Sequence, residues 1–272
     1  MAVTDSLFRS NQGGVGGGLH VWGTHMGSSP VARSGGSVTL RNNSFIENHA
    51  IRGGAASIRN ADLVVQNTLF SSNTTSYRGA ALHYETDRVT LPRSVALIGN
   101  TFHDSRFLNP FANPGGRTLW VVTEHNDDVA SWHMAGNLVA PAAGTLPAGQ
   151  KECQHADGSF AGMQLGGGDN LSPVADCLLL GADDLQANPM VSVIDSGNAR
   201  HPRWVLPQPD SPAVDAWPAD ACTDDLEQPL EHDLRGEPRP TDGDGSGVPD
   251  CDIGAFELPG FLSDRIHADG FE

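Results

Sequence analysis

Lysine is almost missing from this chain: Lys151 is the only one among 272 residues. Lys and Arg together number 16 against 33 Asp and Glu, a net charge of −17. At that balance no face can be broadly basic, which argues against a nucleic-acid partner. Aromatic residues make up 6% of the chain, with only two tyrosines. No run is long and apolar enough to span a membrane. No window has the apolar spacing of a long amphipathic helix, so helix content is expected to be low. The signatures GxSxG, HExxH, the P-loop and GxGxxG are absent. No cysteine precedes Cys153 and none forms CxxC, which removes zinc ribbons and thioredoxin-type sites. Glycine (32) and proline (18) are plentiful instead.

A phrase recurs against this background. Phe8-Arg9-Ser10-Asn11 leads to Gly16-Gly17-Gly18-Leu19, Phe45-Ile46-Glu47-Asn48 to Gly53-Gly54-Ala55-Ala56, and Phe70-Ser71-Ser72-Asn73 to Gly79-Ala80-Ala81-Leu82. In each copy a small residue (Gly17, Gly54, Gly79) follows the asparagine by six positions. Upstream, Val38/Leu40, Leu63/Val65 and Val95/Leu97 alternate as half-buried strands do, before Phe45, Phe70 and Phe102. Asn42-Asn43, Gln66-Asn67 and Gly99-Asn100 suit tight bends between strands. A fixed register with variable filler is the mark of a stacked-repeat fold. Longer spacers fall in Thr24 to Gly36 and Glu85 to Arg93, expected as loops on one face.

Stacked coils would put Phe8, Phe45, Phe70 and Phe102 in one interior column. Asn11, Asn48 and Asn73 would form a ladder beside it, ending at Ser105, each buried amide satisfied by its counterpart one coil away. The small residues would sit where two sheets turn into each other. The phrase FxxN followed by GGA resembles the repeat of chlamydial-type polymorphic outer membrane proteins and of other bacterial right-handed parallel β-helix surface proteins. The resemblance covers roughly residues 1 to 140 and implies a secreted or surface-attached β-helix. The right hand also follows the usual chirality of parallel crossovers. The chain enters its first repeat with neither a signal peptide nor a cap over an open strand edge. The expectation is therefore that its natural beginning, with an export signal, lies upstream.

Cys153, Cys177, Cys222 and Cys251 all lie outside the repeats. An even number confined to the loop-rich half favours two disulfides and an oxidising compartment over four free thiols. Of the three possible pairings, the sequential one, Cys153–Cys177 and Cys222–Cys251, is expected. The same half carries an ordered succession: Asp169-Asn170-Leu171-Ser172, Asn188-Pro189-Met190, Ser211-Pro212-Ala213-Val214-Asp215-Ala216, Asp233-Leu234-Arg235-Gly236, Arg239-Pro240 and Cys251-Asp252-Ile253-Gly254-Ala255-Phe256-Glu257. It resembles the end of the choice-of-anchor Q proteins, bacterial β-helix surface proteins with varied sorting tails. Here SPAVDA and CDIGAFE read as short strands closing the helix end. Asp215, Asp233, Arg235 and Arg239 read as an internal ion-pair network.

The expected architecture is thus all-β: parallel β-helix repeats over 1–145, terminal coils and a disulfide-containing capping module over 146–257, and a linker and tail over 258–272. Charge divides the same way: residues 1–110 carry nine Arg and six acids, residues 205–272 three Arg and 17 acids. One metal candidate stands out, the acidic loop with Asp242, Asp244, Ser246 and Asp250. It begins like a calcium-binding EF-hand loop but has Ile253 where the twelfth-position Glu belongs and lacks flanking helices. An acidic turn is the alternative, so calcium is the only cofactor considered. A pectate-lyase-like polysaccharide lyase or hydrolase would need acids grouped on one sheet face. Glu47, Asp62, Glu85, Asp87 and Asp104 stand at different repeat positions, leaving Glu124, Asp127 and Asp128 as the remaining acids to consider. The expected function is an exported, non-catalytic adhesin or scaffold that contacts surface macromolecules or glycans, with the enzyme as the alternative.

Overall fold

The computed structural model describes residues 1–23, 36–86, 93–108, 115–123, 129–143, 146, 150–155, 164–177 and 183–260. Among these there is no α-helix, only a 3-10 turn at Ala175–Cys177. The chain winds as a parallel β-solenoid. Coil one is β1 (Ala2–Thr4), β2 (Leu7–Arg9), β3 (Gln12–Val15) and β4 (Leu19–Trp22). Coil two is β5 (Ser37–Arg41), β6 (Ser44–Ile46), β7 (His49–Arg52) and β8 (Ala56–Arg59). Coil three is β9 (Asp62–Gln66), β10 (Leu69–Ser71), β11 (Thr74–Arg78) and β12 (Leu82–Thr86). Coil four is β13 (Arg93–Ile98), β14 (Thr101–His103), β15 (Arg106–Phe107) and β16 (Leu119–Thr123). The stack continues through β17 (Val129–Ala135), β18 (Leu138–Ala140), β19 (Cys153–His155), β20 (Gln164–Gly168), β21 (Leu171–Ser172) and β22 (Leu185–Gln186).

Equivalent strands pair in parallel to give four lateral sheets. Sheet A runs β1-β5-β9-β13-β17-β20, sheet B β2-β6-β10-β14-β18-β21-β22, sheet C β3-β7-β11-β15 and sheet D β4-β8-β12-β16-β19. An antiparallel hairpin, β23 (Val191–Asp195) with β24 (Arg203–Pro207), follows the stack.

The aromatic column forms as expected. Phe8, Phe45, Phe70 and Phe102 are register partners in sheet B, and Val139 continues the line. Their rings stack 4.5, 5.1 and 5.1 Å apart and within 9° of parallel. Strand spacing sets this distance, so each interior ring contacts one above and one below. The asparagine ladder forms too. Asn11 Nδ2 donates to Asn48 Oδ1 at 2.9 Å, and Asn48 Nδ2 to Asn73 Oδ1 at 3.0 Å.

Each ladder residue follows a corner residue in the left-handed region: Ser10, Glu47, Ser72 and Asp104, with φ of 53–58°; Glu47 and Asp104 thus share one repeat position, two coils apart, contrary to the expectation that these acids stand at different ones. At the third corner the small residues are obligatory. A Cβ on Gly54 would lie 2.3 Å from Thr74 O and 2.5 Å from Ala80 O. Here the third copy departs from the six-residue spacing. Leu82 pairs with Ala56 and Ala56 with Leu19, which aligns Ala80, not Gly79, with Gly54 and Gly17. The extra residue is absorbed by a register shift between Thr75 and Arg78 in β11.

Asn43 and Asn100 are not merely bend residues: both are fully buried and belong to a second ladder at the sheet A–B corner. Thr68 N–H donates to Asn100 Oδ1, Asn100 Nδ2 to Asn137 Oδ1 at 2.9 Å, and Asn137 Nδ2 to Asn170 Oδ1 at 2.9 Å. Asn170 Nδ2 ends the run on Asp184 Oδ1 at 2.8 Å. The amides all point one way, so their dipoles reinforce each other and terminate on an anion, the acceptor best suited to such a chain.

The terminal segment also differs from expectation. SPAVDA and CDIGAFE form turns and a single bridge, Trp217 to Cys251, rather than strands. The segment lies along the outer flank of sheet B and the adjoining edge of sheet A rather than over the last coil. Trp217, Leu230 and Ile253 pack with Ile98, Ala135, Leu138 and Leu171. Val205, Leu234 and Phe256 pack with Ile46 and Leu69. Gly136 is required at this contact, because any Cβ would come within 2.3 Å of the Trp217 ring.

Candidate functional site

Two central strands of sheet B are buried on both faces: Ser44–Ile46 and Leu69–Ser71 have no exposed residue. A strand apolar on both sides needs cover on both sides. Ile46 and Leu69, pointing away from the phenylalanine column, were the sequence signal for a lateral module. Polar contacts fix its position: Arg203 reaches Glu47 at 2.6 Å and Ser72 at 3.1 Å, Ser44 Oγ meets His201 Nδ1 at 2.9 Å, and Arg41 pairs with Asp225.

Both expected disulfides are present and no described cysteine is free. Cys153–Cys177 joins β19 to the 3-10 turn inside the solenoid core, and Cys222–Cys251 staples the module beside Trp217.

The module's ion-pair network is real but its membership differs from expectation. Arg235 pairs with Asp233 at 2.8 Å and Arg239 with Glu257 at 2.6 Å, all four groups being almost wholly buried. Asp252 joins them, while Asp215 lies elsewhere. Burial, then the neighbouring Glu257 charge, pushes Asp252 up to about 8, and burial also raises Glu257. Arg239 thus faces two buried acids, and the second stays protonated near neutrality.

The acidic loop brings three carboxylates together, those of Asp215, Asp242 and Asp244, with one oxygen of each within 4.8 Å of the others. Ser246 and Asp250 turn to other tasks. Ser246 Oγ donates to Val248 O within the loop, and Asp250 Oδ1 accepts the Ala219 N–H. Part of the converged set is also committed to the fold, since Asp215 accepts from the Gly243 and Asp244 amides. Oxygen-only donors of this kind suit a hard cation such as calcium.

Acids also line a groove of about 380 Å3 between sheet A and the 223–227 turn, where Asp62, His133, Asp224, Asp225 and Glu227 meet. Most are structural acceptors. Asp62 Oδ1 takes the Ser94 N–H at 2.9 Å, and Asp224 Oδ1 takes the Leu226 and Gln228 amides. Asp225 holds Arg41. Glu124, Asp127 and Asp128 lie outside the described residues, as does the tail from residue 261.

The opposite flank, sheet D with the end of sheet C, has a different chemistry that sequence reading did not single out. Its outward positions place His20, Ser57, His83 and Trp120 in one cross-coil row, and Trp22, Arg59 and Glu85 in the next. Trp22 is 61% exposed, and Arg59 lies over its ring at 5.0 Å while pairing with Glu85 at 3.3 Å. Arg52 and Arg78, partners across sheet C, both lie over the Tyr77 ring, and Arg78 also covers Trp120. His83 registers this concentration of charge. Burial first, then Arg52, Arg78, Arg59 and His20, lower it to about 3.

No protein-family model, curated protein or solved structure matches the chain. Among the described residues no helix is long and apolar enough to cross a membrane.

Proposed function

We propose that this is an exported, non-catalytic β-helix protein of the bacterial cell surface or surroundings, akin to the choice-of-anchor Q and polymorphic outer membrane protein types, that uses its lateral faces for adhesion or as a scaffold. The observation that carries this reading is the pairing of all four cysteines into two disulfides, one in the solenoid core and one in the lateral module. Reducing compartments do not sustain such bridges. A solenoid also offers long lateral faces more readily than an enclosed substrate cavity.

The lyase or hydrolase alternative draws on the sheet A groove. It is the weaker reading because Asp62, Asp224 and Asp225 are engaged in holding turns and ion pairs. Calcium, if bound, would be held by Asp215, Asp242 and Asp244, and a rise in melting temperature on adding calcium tests this. Fractionating the native cells and blocking free thiols before non-reducing mass spectrometry tests the main reading. Protein outside the cytoplasm, lighter by four hydrogens, supports it. Cytoplasmic protein with four alkylatable thiols overturns it.

A further inference from the structure

The groove between sheet A and the 223–227 turn, about 380 Å3 in volume, has a floor and a wall of different chemistry. Val64 and Ala96 are register partners on the outward face of sheet A and make a narrow aliphatic floor. Asp224, Asp225 and Glu227 form the wall, Asp62 adds a fourth acid, and no Lys or Arg lines the space. Arg41 pairs with Asp225 from outside the lining, and Arg93 lies 3.9 Å from Asp62. Asp224 Oδ1 accepts only uncharged backbone amides, and the Glu227 carboxylate has no partner among the described residues. Both therefore keep their charge. Burial lowers His133, so no histidine charge offsets them near neutrality. Gln66 adds an orphan acceptor. It shares the outward face of β9 with Val64 and is the register partner of Arg41, which places it at the inner end of the groove, beside the Arg41–Asp225 pair. It is 8% exposed, and its Oε1 is buried without a hydrogen-bond donor. Such an oxygen destabilises the free protein, and an N–H donor from a ligand would relieve it.

The geometry points to this groove as a docking site for a basic, extended polypeptide segment of a partner protein, with Arg or Lys stems on Val64 and Ala96 and their heads meeting Asp224, Glu227 and the Gln66 oxygen. It rests on the surface-binding reading and names the partner class. Guanidinium and ammonium groups are donors only, which matches a wall of carboxylates and an orphan amide oxygen. Long basic side chains lay their methylenes on apolar surface and keep the charged head at its edge, as this floor and wall require. A divalent metal needs converging oxygens, and among the described residues only Asp215, Asp242 and Asp244 converge closely enough. An amino sugar would want a flat aromatic platform, and no aromatic carbon ring lines the groove. The 17 acids and three Arg of residues 205–272, which supply the wall, repel polyanions of any kind.

Fluorescence anisotropy of a labelled peptide alternating Arg and Ser, titrated with the full chain at low and physiological ionic strength, tests the proposal. Binding should weaken as salt rises. Glu227→Gln should weaken it about tenfold, the loss expected for one charge-assisted contact. Ala96→Arg, which puts the chain's own guanidinium in the groove, should weaken it at least as much. Gln66→Met should weaken it about threefold to tenfold while leaving the melting temperature unchanged or raised, because the amide has no partner to lose in the free protein. Glu237→Gln removes the same charge from an exposed position outside the groove and should bind like wild type. Melting temperatures verify that each variant folds. No binding, equal losses for Glu227→Gln and Glu237→Gln, or binding that Glu227→Gln and Ala96→Arg leave intact would overturn the inference. So would spermidine or a chitosan oligosaccharide competing as effectively as unlabelled peptide. Failure to bind would leave an exported, disulfide-bonded protein as it stands, since cell fractionation tests that reading separately.

Discussion

Replacing Asn137 by alanine should be far more damaging than its side-chain volume suggests. Asn137 is fully buried, and five hydrogen bonds pass through its amide, the longest from Nδ2 to Ala135 O at 3.2 Å. Nδ2 donates to Leu97 O at 2.7 Å and to Asn170 Oδ1 at 2.9 Å. Oδ1 accepts the Asn100 N–H at 3.1 Å and Asn100 Nδ2 at 2.9 Å. Alanine leaves the Asn100 N–H without its acceptor in a site water cannot enter, and removes a donor from Leu97 O. At about 1–3 kcal/mol per buried group left unmatched, the loss should be roughly 3–6 kcal/mol. Asn11 provides the control, because it sits at the exposed end of the other ladder, where water replaces its partner. Asn11→Ala should cost under about 1 kcal/mol. Urea unfolding midpoints under non-reducing conditions measure both. Equal losses for the two variants would refute the claim that buried amide ladders hold the corners. Asn137→Asp adds a sign test: an ionised carboxylate cannot donate to Leu97 O, so its destabilisation should grow with pH.

Three other outcomes follow from the same geometry. Phe70→Ala, which removes a buried ring stacked on both faces, should cost about 3–5 kcal/mol, whereas half-buried Phe8, stacked on one face, should cost clearly less by the same assay. Replacing Cys222 and Cys251 together by serine should cost about 3.5 kcal/mol in the loop-closure picture, with limited proteolysis cutting first within residues 208–258. Stability should also fall at both ends of the pH scale. His83, held near 3, makes folding less favourable as pH drops below its ordinary range, and Asp252, held near 8, retains a proton in the fold that the unfolded chain releases above pH 4. Stability contributed by that proton is lost as pH rises from about 4 to 8, so Asp252→Asn should flatten the alkaline side of the melting profile.

The solenoid was legible because its rules are local. Phe45, Phe70 and Phe102 repeat within a register fixed by parallel pairing, and the four cysteines stand in an order that makes neighbours pair. The second ladder was harder to see. One of its rungs is a threonine among asparagines (Asn43, Thr68, Asn100, Asn137, Asn170), and each follows a corner residue, so the pairs read as bends. The corner half of that reading held, since Asn42, Asn67 and Gly99 all have positive φ. The position of the terminal module depends on contacts between distant residues, such as Trp217 on Gly136 and Ala255 N–H on Thr101 Oγ1, which no local pattern encodes. Asp215 was placed in the ion-pair network by its charge alone, but backbone amides hold it at the acidic loop instead, and Glu257, with Asp252 as its charged neighbour, pairs with Arg239. The arginine and aromatic flank was invisible for a similar reason: Trp22, Arg59 and Tyr77 come from three different coils.

The account's central claim is that this solenoid binds through its sides and does not cut what it binds. Incubating the purified chain with polygalacturonate and alginate, then measuring polymer length by size-exclusion chromatography with light scattering, tests it directly. The account predicts that the length distribution stays unchanged over many hours. Progressive shortening that disappears on replacing Asp127 or Asp128 would contradict it and establish the lyase reading instead.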